Sequence, residues 1–394
     1  MTPTARLSAA IALLDQILTG DPAERALTRW ARASRFAGSK DRAAVRDIVF
    51  DALRRKRSLA HLGGSMSGRS LVMAQQFSNR VALAELFGDF RFAPAALTPE
   101  ESAQLANPGP ASDPVQLDYP DFLDDELRRS LGVGFVPVMQ AMQARAPVDL
   151  RVNTLKTTVE EAQKYLARDL IFTDTVEGVE GALRITKNPR KLNGSLAYRY
   201  GFVELQDVSS QRVSKLAGVQ PGMKVLDYCA GGGGKTLALA AEMQGQGQIF
   251  AHDVNPLRMK DLPERARRAG ADIQVISPDH IDTAPKCDLV LVDAPCSGSG
   301  AWRRSPDSKW RLTAARLEEL TNLQRNILQK AQAQVGKNGL LAYATCSLFS
   351  AENADQIAWF QNKNSGWKLL RQQSLSPITG GDGFYISVLQ RDAS

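Results

Sequence analysis

Two short motifs place a cysteine directly after an apolar segment. Asp293-Ala-Pro-Cys296 follows Cys287–Val292, and Thr345-Cys346-Ser347 follows Leu340–Ala344. A thiolate that adds to carbon 6 of a pyrimidine makes carbon 5 enamine-like and able to accept a methyl group, because covalent catalysis divides one difficult step into two. The proton on carbon 5 must then leave and the thiolate be expelled, which gives a second cysteine a purpose. The pair predicts covalent methyl transfer to a pyrimidine, and the residues alone leave open which cysteine attacks.

Two charged residues are candidates for assisting this chemistry. Asp293, three positions before Cys296, is placed to contact the N3 edge of the base, best in its protonated form. The attacking thiol needs a lowered pKa, and Lys235 or a nearby arginine would supply the electrostatic field.

A glycine-rich segment, Cys229-Ala-Gly-Gly-Gly-Gly-Lys-Thr236, follows another apolar run. A glycine-rich turn between a strand and a helix lets a ligand approach the backbone at the helix N-terminus. A phosphate-binding loop would need glycine at Cys229, and the dinucleotide fingerprint fails at Thr236, so both are disfavoured. Acidic residues before the turn, Asp227, and after the next apolar run, Asp253, suit a nucleoside with free ribose hydroxyls. The pattern favours S-adenosyl-L-methionine.

The elements that must position these residues alternate between strand and helix. Near-continuous apolar strands separated by helices are typical of a doubly wound, mostly parallel Rossmann-like α/β sheet, which binds ligands at the carboxyl ends of its strands. We therefore expect Asp227, Asp253, Asp279, Asp293 and both cysteines to border one crevice. The alternating segment Gly383–Gln390 predicts one added antiparallel strand. The predicted parallel strands are Met223–Tyr228, Gln248–Asp253, Asp272–Ile276, Cys287–Asp293 and Gly339–Thr345.

Two further regions precede this predicted methyltransferase domain, which covers 211–394. Residues 141–210 predict a small α+β subdomain, with short strands at Asp149–Asn153 and Ala182–Thr186. Residues 1–140 predict an all-α domain, whose third helix Ser39 would cap, with an acidic linker near 93–120.

Composition narrows the class of protein. The 394 residues carry 49 Lys+Arg against 42 Asp+Glu, and no segment approaches the roughly 18 consecutive apolar residues of a membrane helix. Four cysteines without a C-x-x-C pair, and only three histidines, supply neither a zinc site nor a disulfide framework, so a reduced, cytoplasmic protein without a metal is expected. Basic stretches at 1–60 and 295–330 favour a polyanionic partner.

The C-terminal part of the chain resembles the RNA 5-methylcytosine methyltransferases of the Rsm/Nop/Sun family. The paired Pro-Cys and Thr-Cys motifs are highly specific, and the matching segments follow the family's order. This resemblance implies that Cys346 is the nucleophile and that Cys296 assists product release, whereas DNA cytosine methyltransferases attack with the Pro-Cys residue. The matching segments are Arg151–Lys156, Gln206–Gln211, Cys229–Thr236, Asp293–Gly300, Arg303–Asp307, Thr345–Ser347 with Glu352-Asn353, and Gly381–Phe384.

The resemblance also implies a set of cofactor-binding residues. Asp253 would contact the ribose, Asp279 would lie near the adenine, and Asp293 would lie at the reacting centre. Asp282 is an alternative to Asp279. The full set is Cys229, Ala230, Gly231, Gly232, Gly233, Gly234, Lys235, Asp253, Arg258, Asp279 and Asp293.

The N-terminal region, especially Ser39–Asp47, is similar to the NusB-like RNA-binding domain of the bacterial ribosomal members, in shortened form. The resemblance implies a monomer that methylates an unpaired cytosine, most commonly in 16S ribosomal RNA. Transfer RNA is an alternative substrate. A non-catalytic RNA-binding assembly factor with a methyltransferase fold is an alternative function, disfavoured because a binder has no need of two such cysteines.

Overall fold

A computed structural model describes residues 1–392 and divides the chain into two compact units. The first unit contains Met1–Arg145 together with Trp302–Leu312, and the second contains Ala146–Ala301 and the chain from Thr313 onward. The segment that follows the Pro-Cys motif therefore packs in the N-terminal unit. The domain limits at 141 and 211 stay predictions.

The N-terminal part of the first unit is helical, as the spacing of its apolar residues predicts. Leu7, Leu14, Val49 and Leu71 lie in one buried core. Its α-helices are α1 Pro3–Leu18, α2 Ala23–Ala33, α3 Ser39–Arg54, α4 Lys56–Gly63, α5 Gly68–Ser78, α6 Pro99–Ala106, α7 Asp113–Gln116, α8 Asp124–Leu131 and α9 Phe135–Met142.

Local capping explains two differences from the predicted helices. Helix α3 begins at Ser39, but its N-cap is Gly38, whose backbone N–H donates to the carboxylate of Asp41. The acidic stretch predicted as a linker contains α6, because Thr98 and Glu101 form a capping box and Pro99 occupies the first turn. Capping therefore outweighs the abundance of loop-forming residues in this stretch.

Two cations of the predicted basic stretch at 295–330 are buried in the first unit. Lys309 is 1% exposed, and its Nζ donates to the backbone oxygen of Arg54 at 3.1 Å and lies 4.6 Å from the ring centre of Trp310. Arg303 is 5% exposed. The expectation that both belong to an exposed basic stripe is wrong, because this segment packs against α3.

The second unit contains the predicted α/β sheet. Seven strands are arranged in the order β10-β11-β9-β8-β5-β6-β7, and a separate antiparallel sheet has the order β2-β3-β1-β4. The strands are β1 Asp149–Val152, β2 Phe172–Thr175, β3 Ala182–Lys187, β4 Val203–Leu205, β5 Lys224–Asp227, β6 Gln248–His252, β7 Gln274–Ile276, β8 Cys287–Asp293, β9 Val335–Thr345, β10 Trp367–Leu375 and β11 Phe384–Arg391.

The α-helices that follow α9 lie in both units. Helix α15 belongs to the first unit and the others to the second. They are α10 Val159–Arg168, α11 Leu196–Arg199, α12 Val208–Leu216, α13 Gly234–Glu242, α14 Leu262–Ala269, α15 Pro306–Arg311, α16 Ala314–Ala331 and α17 Ala354–Lys363. Short 3-10 helices cover Leu83–Glu85, Asp121–Leu123, Gly132–Gly134, Pro189–Gly194, Pro256–Met259, Pro278–Thr283, Ser299–Ala301, Gln332–Gln334, Ser350–Glu352 and Pro377–Thr379.

Strand order fixes where a ligand can bind. Strands β5 to β9 are mutually parallel, and β11 pairs antiparallel with β9, which confirms the predicted doubly wound sheet with one reversed strand. Beyond β11, the mostly exposed edge strand β10 was missed because its alternation is weak. The chain runs from β5 to β6 and β7 on one side, then crosses to β8 on the other, and such a switch point is where open α/β sheets bind ligands.

Candidate active site

The glycine-rich loop connects β5 to α13 at this switch point. Gly231 and Gly233 adopt φ angles of +52° and +81°, a region that side chains rarely enter. A Cβ atom on Gly233 would also lie 2.2 Å from Cδ1 of Leu262. The loop therefore requires glycine for its conformation and for its close approach to α14.

Asp253, directly after β6, is 1% exposed and faces this loop. Its carboxylate accepts the backbone N–H of Gly231 at 3.0 Å and that of Asn255 at 2.9 Å. The guanidinium of Arg258 lies 3.1 Å from the same carboxylate. The fold thus brings together Asp253, Arg258 and the glycine-rich loop, as predicted for a cofactor site.

Asp227 lies at the end of β5 and is completely buried. Thr236 donates its hydroxyl to Oδ2 at 2.7 Å, while Oδ1 is buried without a hydrogen-bond partner among the described residues. Burial, against the opposing hydrogen bond from Thr236 and with a smaller contribution from the charge of Asp293, raises the pKa of Asp227 to about 7. The sequence indicated Asp227, but not the role of Thr236 in holding it.

Cys296 and Cys346 face each other, with their Sγ atoms 3.4 Å apart. The hydrogen bond to Cys346 and burial together raise the pKa of Cys296 well above its ordinary value. Cys296 therefore stays protonated at neutral pH and can donate its S–H to the sulfur of Cys346. A backbone hydrogen bond of 2.9 Å, from Gly300 N to Cys346 O, joins the two loops nearby.

Cys229 lies in the glycine-rich loop but is unsuited to attack. Burial and the charges of Asp227 and Asp293 raise its pKa well above the ordinary value of a thiol. Cys229 therefore stays a neutral thiol within the glycine-rich loop.

Lys235 and Asp293 form an ion pair beside the cysteines, with Nζ and Oδ2 2.7 Å apart. Lys235 is 9% exposed, and its Nζ lies 4.9 Å from the ring centre of Phe384. Burial lowers the pKa of Lys235, but Asp293 and the nearby Cys346 outweigh it, so the net shift is upward. Lys235 therefore holds its proton at neutral pH.

Within residues 1–392, Asp279 makes no hydrogen bond to another predicted site residue. It is exposed in the 3-10 helix Pro278–Thr283 after β7, as is Asp282. The charge of Asp282 contributes, after burial and Cys229, to raising the pKa of Tyr228 to about 12. The role of Asp279 at the adenine stays a prediction, as does the choice between the two aspartates.

A buried acidic residue beside the cysteines was missed as a functional residue. Glu352 is 0% exposed and accepts hydrogen bonds from Ser297, Ser347 and Gln324. The segment containing Glu352-Asn353 was noted only as a family motif. A glutamate so close to the Thr-Cys motif is a signal, but only the contacts reveal its neighbours.

Comparison with known proteins identifies the family. A model described as 16S rRNA methyltransferase RsmB/F matches residues 215–390, and one described as Methyltr_RsmF/B-like, ferredoxin-like domain matches 119–190. The probable ribosomal RNA small subunit methyltransferase B of Synechocystis sp. is 31% identical, over 70% of this chain and 67% of its own. The chain belongs to the RsmB/F methyltransferase family. The ribosomal RNA small subunit methyltransferase B of Pasteurella multocida is 33% identical to this RsmB/F-family chain, over 70% of this chain and 66% of its own.

The fold of this RsmB/F-family chain has a solved counterpart. The crystal structure of PH0851 has a TM-score of 0.76 and 23% identity, covering 99% of each chain, and therefore supports the fold alone. The alignments with the two curated relatives span about two thirds of those proteins. Among the described residues, no helix is both long and apolar enough to cross a membrane.

S-adenosyl-L-methionine is the cofactor of the RsmB/F family, and the residues of this chain fit it. The positive φ angles of Gly231 and Gly233 leave the backbone open to a nucleoside. Asp253 and Asp227 supply carboxyl groups beside the loop that suit the polar groups of the cofactor, and within residues 1–392 Oδ1 of Asp227 has no hydrogen-bond partner. The predicted cofactor is thus confirmed, while the contacts assigned to single residues stay predictions.

Proposed function

We propose that this chain transfers a methyl group from S-adenosyl-L-methionine to carbon 5 of a cytosine in RNA, with 16S ribosomal RNA as its substrate. The 3.4 Å approach of Cys346 and Cys296 carries the proposal, since methyl transfer to an oxygen or an amine would need no pair of thiols. The names of the curated relatives support a ribosomal RNA of the small subunit.

Cys346 is the attacking thiol in this mechanism. Its sulfur forms a bond to carbon 6 of an unpaired cytosine that has entered the site, and electron density moves toward N3, which takes up a proton. The Cys346 thiol is the source of that proton, which passes to N3 through Lys235 and Asp293, whose Nζ and Oδ2 atoms lie 2.7 Å apart. The raised pKa of Lys235 keeps this side chain charged, so it places a cation beside Cys346 as the sulfur attacks.

The cofactor supplies an electrophilic methyl group to carbon 5 of the activated base. Cys296 then acts in release, because its sulfur accepts the proton lost from carbon 5 while its own proton passes to Cys346. The double bond between carbons 5 and 6 re-forms as the bond from carbon 6 to the Cys346 sulfur breaks, and the N3 proton leaves through Asp293 to solvent. The short distance between the two sulfurs and the high pKa of Cys296 support this relay.

The proposed reaction is tested with labelled S-adenosyl-L-methionine and RNA from cells lacking the protein. We expect label in 5-methylcytidine of the 16S RNA, and none with the Cys346→Ala variant. Label in another nucleoside would contradict the proposed carbon, and label confined to transfer RNA would contradict the substrate. Free 16S RNA and small subunits should be tried in parallel, because the target must be unpaired to enter the site.

A further inference from the structure

Glu352 lies between the two cysteine-bearing loops and contacts both. From the Pro-Cys loop, the backbone N–H of Ser297 donates to Oε1 at 2.8 Å and its hydroxyl donates to Oε2 at 2.5 Å. From the Thr-Cys loop, the hydroxyl of Ser347 donates to the same Oε2. Each serine is the residue directly after its cysteine.

A third residue also donates a hydrogen bond to the carboxylate of Glu352. Gln324 of α16 is 0% exposed, and its Nε2 donates to Oε1 of Glu352 and to the backbone oxygen of Pro295, each at 3.0 Å. A carboxylate offers only acceptors, so its two oxygens can take all four of these hydrogen bonds at once. No neutral side chain of similar length accepts in the same way at both atoms.

Glu352 is itself held firmly from both sides. Its backbone oxygen accepts the hydroxyl of Tyr343, on β9, at 2.7 Å. The next residue, Asn353, accepts the hydroxyl of Thr345 and donates to the backbone oxygen of Ser347 at 3.0 Å. The carboxylate therefore has little freedom to move with one loop alone.

We propose that Glu352 is a positioning residue that sets the separation of Cys296 and Cys346 by tying the two loops to one buried carboxylate. It touches neither sulfur in this network and acts through Ser297 and Ser347. The consequence for turnover rests on the proposed function, because the proton relay needs the two sulfurs close together. The consequence for thiol geometry does not depend on the substrate.

The test measures the thiol pair directly with phenylarsine oxide, a trivalent arsenical that binds two thiols to one arsenic atom. The full-length protein should capture it through Cys296 and Cys346, and the Cys296→Ala variant should not. In Glu352→Gln we expect the capture rate to fall roughly tenfold or more, because charge-assisted hydrogen bonds to both loops are weakened. The exposed Glu318→Gln on α16 is the matched control and should behave as the unmodified protein.

Further readouts separate positioning from general damage. The Kd for S-adenosyl-L-methionine should stay within about twofold, because the glycine-rich loop and Asp253 are untouched, while kcat falls with the capture rate. If Glu352→Gln fails to fold, Gln324→Met removes one donor and should give a smaller reduction in the same direction. The proposal would be overturned if a folded Glu352→Gln variant kept both its capture rate and its kcat. Where Gln324→Met is needed instead, an unchanged capture rate in that variant would overturn it. Loss of capture in a protein that methylates no RNA would refute the proposed function alone.

Discussion

The sulfur atoms of Cys296 and Cys346 lie 3.4 Å apart although 50 positions separate them in the chain. Strands β8 and β9 are parallel neighbours, with Asp293 paired to Ala344. Cys296 follows the first of these residues by three positions and Cys346 follows the second by two. Strand register therefore brings the two motifs to one place, and the buried Glu352 tightens that approach.

The two cysteines should give opposite results when replaced one at a time. Cys346→Ala removes the attacking sulfur, so we expect methyl transfer to fall by at least about a thousandfold with the cofactor Kd nearly unchanged. Cys296→Ala leaves attack possible and removes the relay, so a covalent RNA–protein complex should accumulate. A shifted band on a denaturing gel detects it.

The double variant Cys296→Ala/Cys346→Ala is the control and should form no complex. If the complex appears only when Cys346 is replaced, the two roles are reversed.

Gly233→Ala should disturb the cofactor loop. The φ of +81° and the 2.2 Å approach to Leu262 give a strain of roughly 1–3 kcal/mol, which should lower the melting temperature and weaken cofactor binding. Gly234→Ala is the matched control for thermal unfolding, because the atom nearest to its added Cβ is 4.0 Å away and α13 begins there. Calorimetric titration and thermal unfolding measure both effects. Equal behaviour of the two variants would contradict the geometric argument.

Asp227→Asn should stabilise the protein increasingly as the pH rises from about 4 to about 7. Burial raises the folded-state pKa of Asp227 to about 7 from the ordinary value of 3.8 for an aspartate. Between these values the folded chain holds a proton that the unfolded chain has lost, so the stability of the unmodified protein falls as the pH rises. Asparagine removes that dependence.

The measurement is urea unfolding of the cofactor-free protein at several pH values. At about 1.4 kcal/mol for each pKa unit, the gap between variant and unmodified protein should grow by a few kcal/mol and level off above pH 7. The exposed Asp272→Asn serves as control. A gap independent of pH would refute a protonated Asp227.

The stability of the Lys309→Met variant, relative to the unmodified protein, should be greatest near neutral pH. Burial lowers the folded-state pKa of Lys309 to about 8, below the ordinary value of 10.5 for a lysine. Below pH 8 the folded protein bears the full cost of a buried ammonium, which diminishes as the pH rises from 8 toward 10.5. The stability of the variant relative to the unmodified protein should therefore fall between pH 7 and pH 10.

Thermal unfolding at those two pH values tests this, with the exposed Lys330→Met as control. A difference in melting temperature that rises with pH would contradict the assignment.

Patterns that act over a few residues predicted much of this fold. The apolar strands β5, β6, β8 and β9 and the reversed strand β11 lie where the hydrophobic runs indicated, since a strand buried on both faces needs a continuous apolar segment. Within the stretch predicted as a linker, 93–120, the sequence did not predict α6, which the capping box at Thr98 stabilises among loop-forming residues. The sequence also did not predict the burial of Lys309, since a lysine is usually exposed and its aromatic neighbours are known only from the structure.

The amino-acid sequence alone specifies which chemical groups the protein has and at which strand ends they occur, because strand ends follow from local hydrophobic runs and a parallel sheet gathers its carboxyl ends at one edge. Three-dimensional packing was needed to show that Lys235 pairs with Asp293, that Oδ1 of Asp227 has no hydrogen-bond partner within residues 1–392, and that Glu352 joins two loops. These relationships depend on side-chain packing between segments far apart in the chain. Register and burial set the distances there to within a few tenths of an ångström, and no local pattern of residues encodes them.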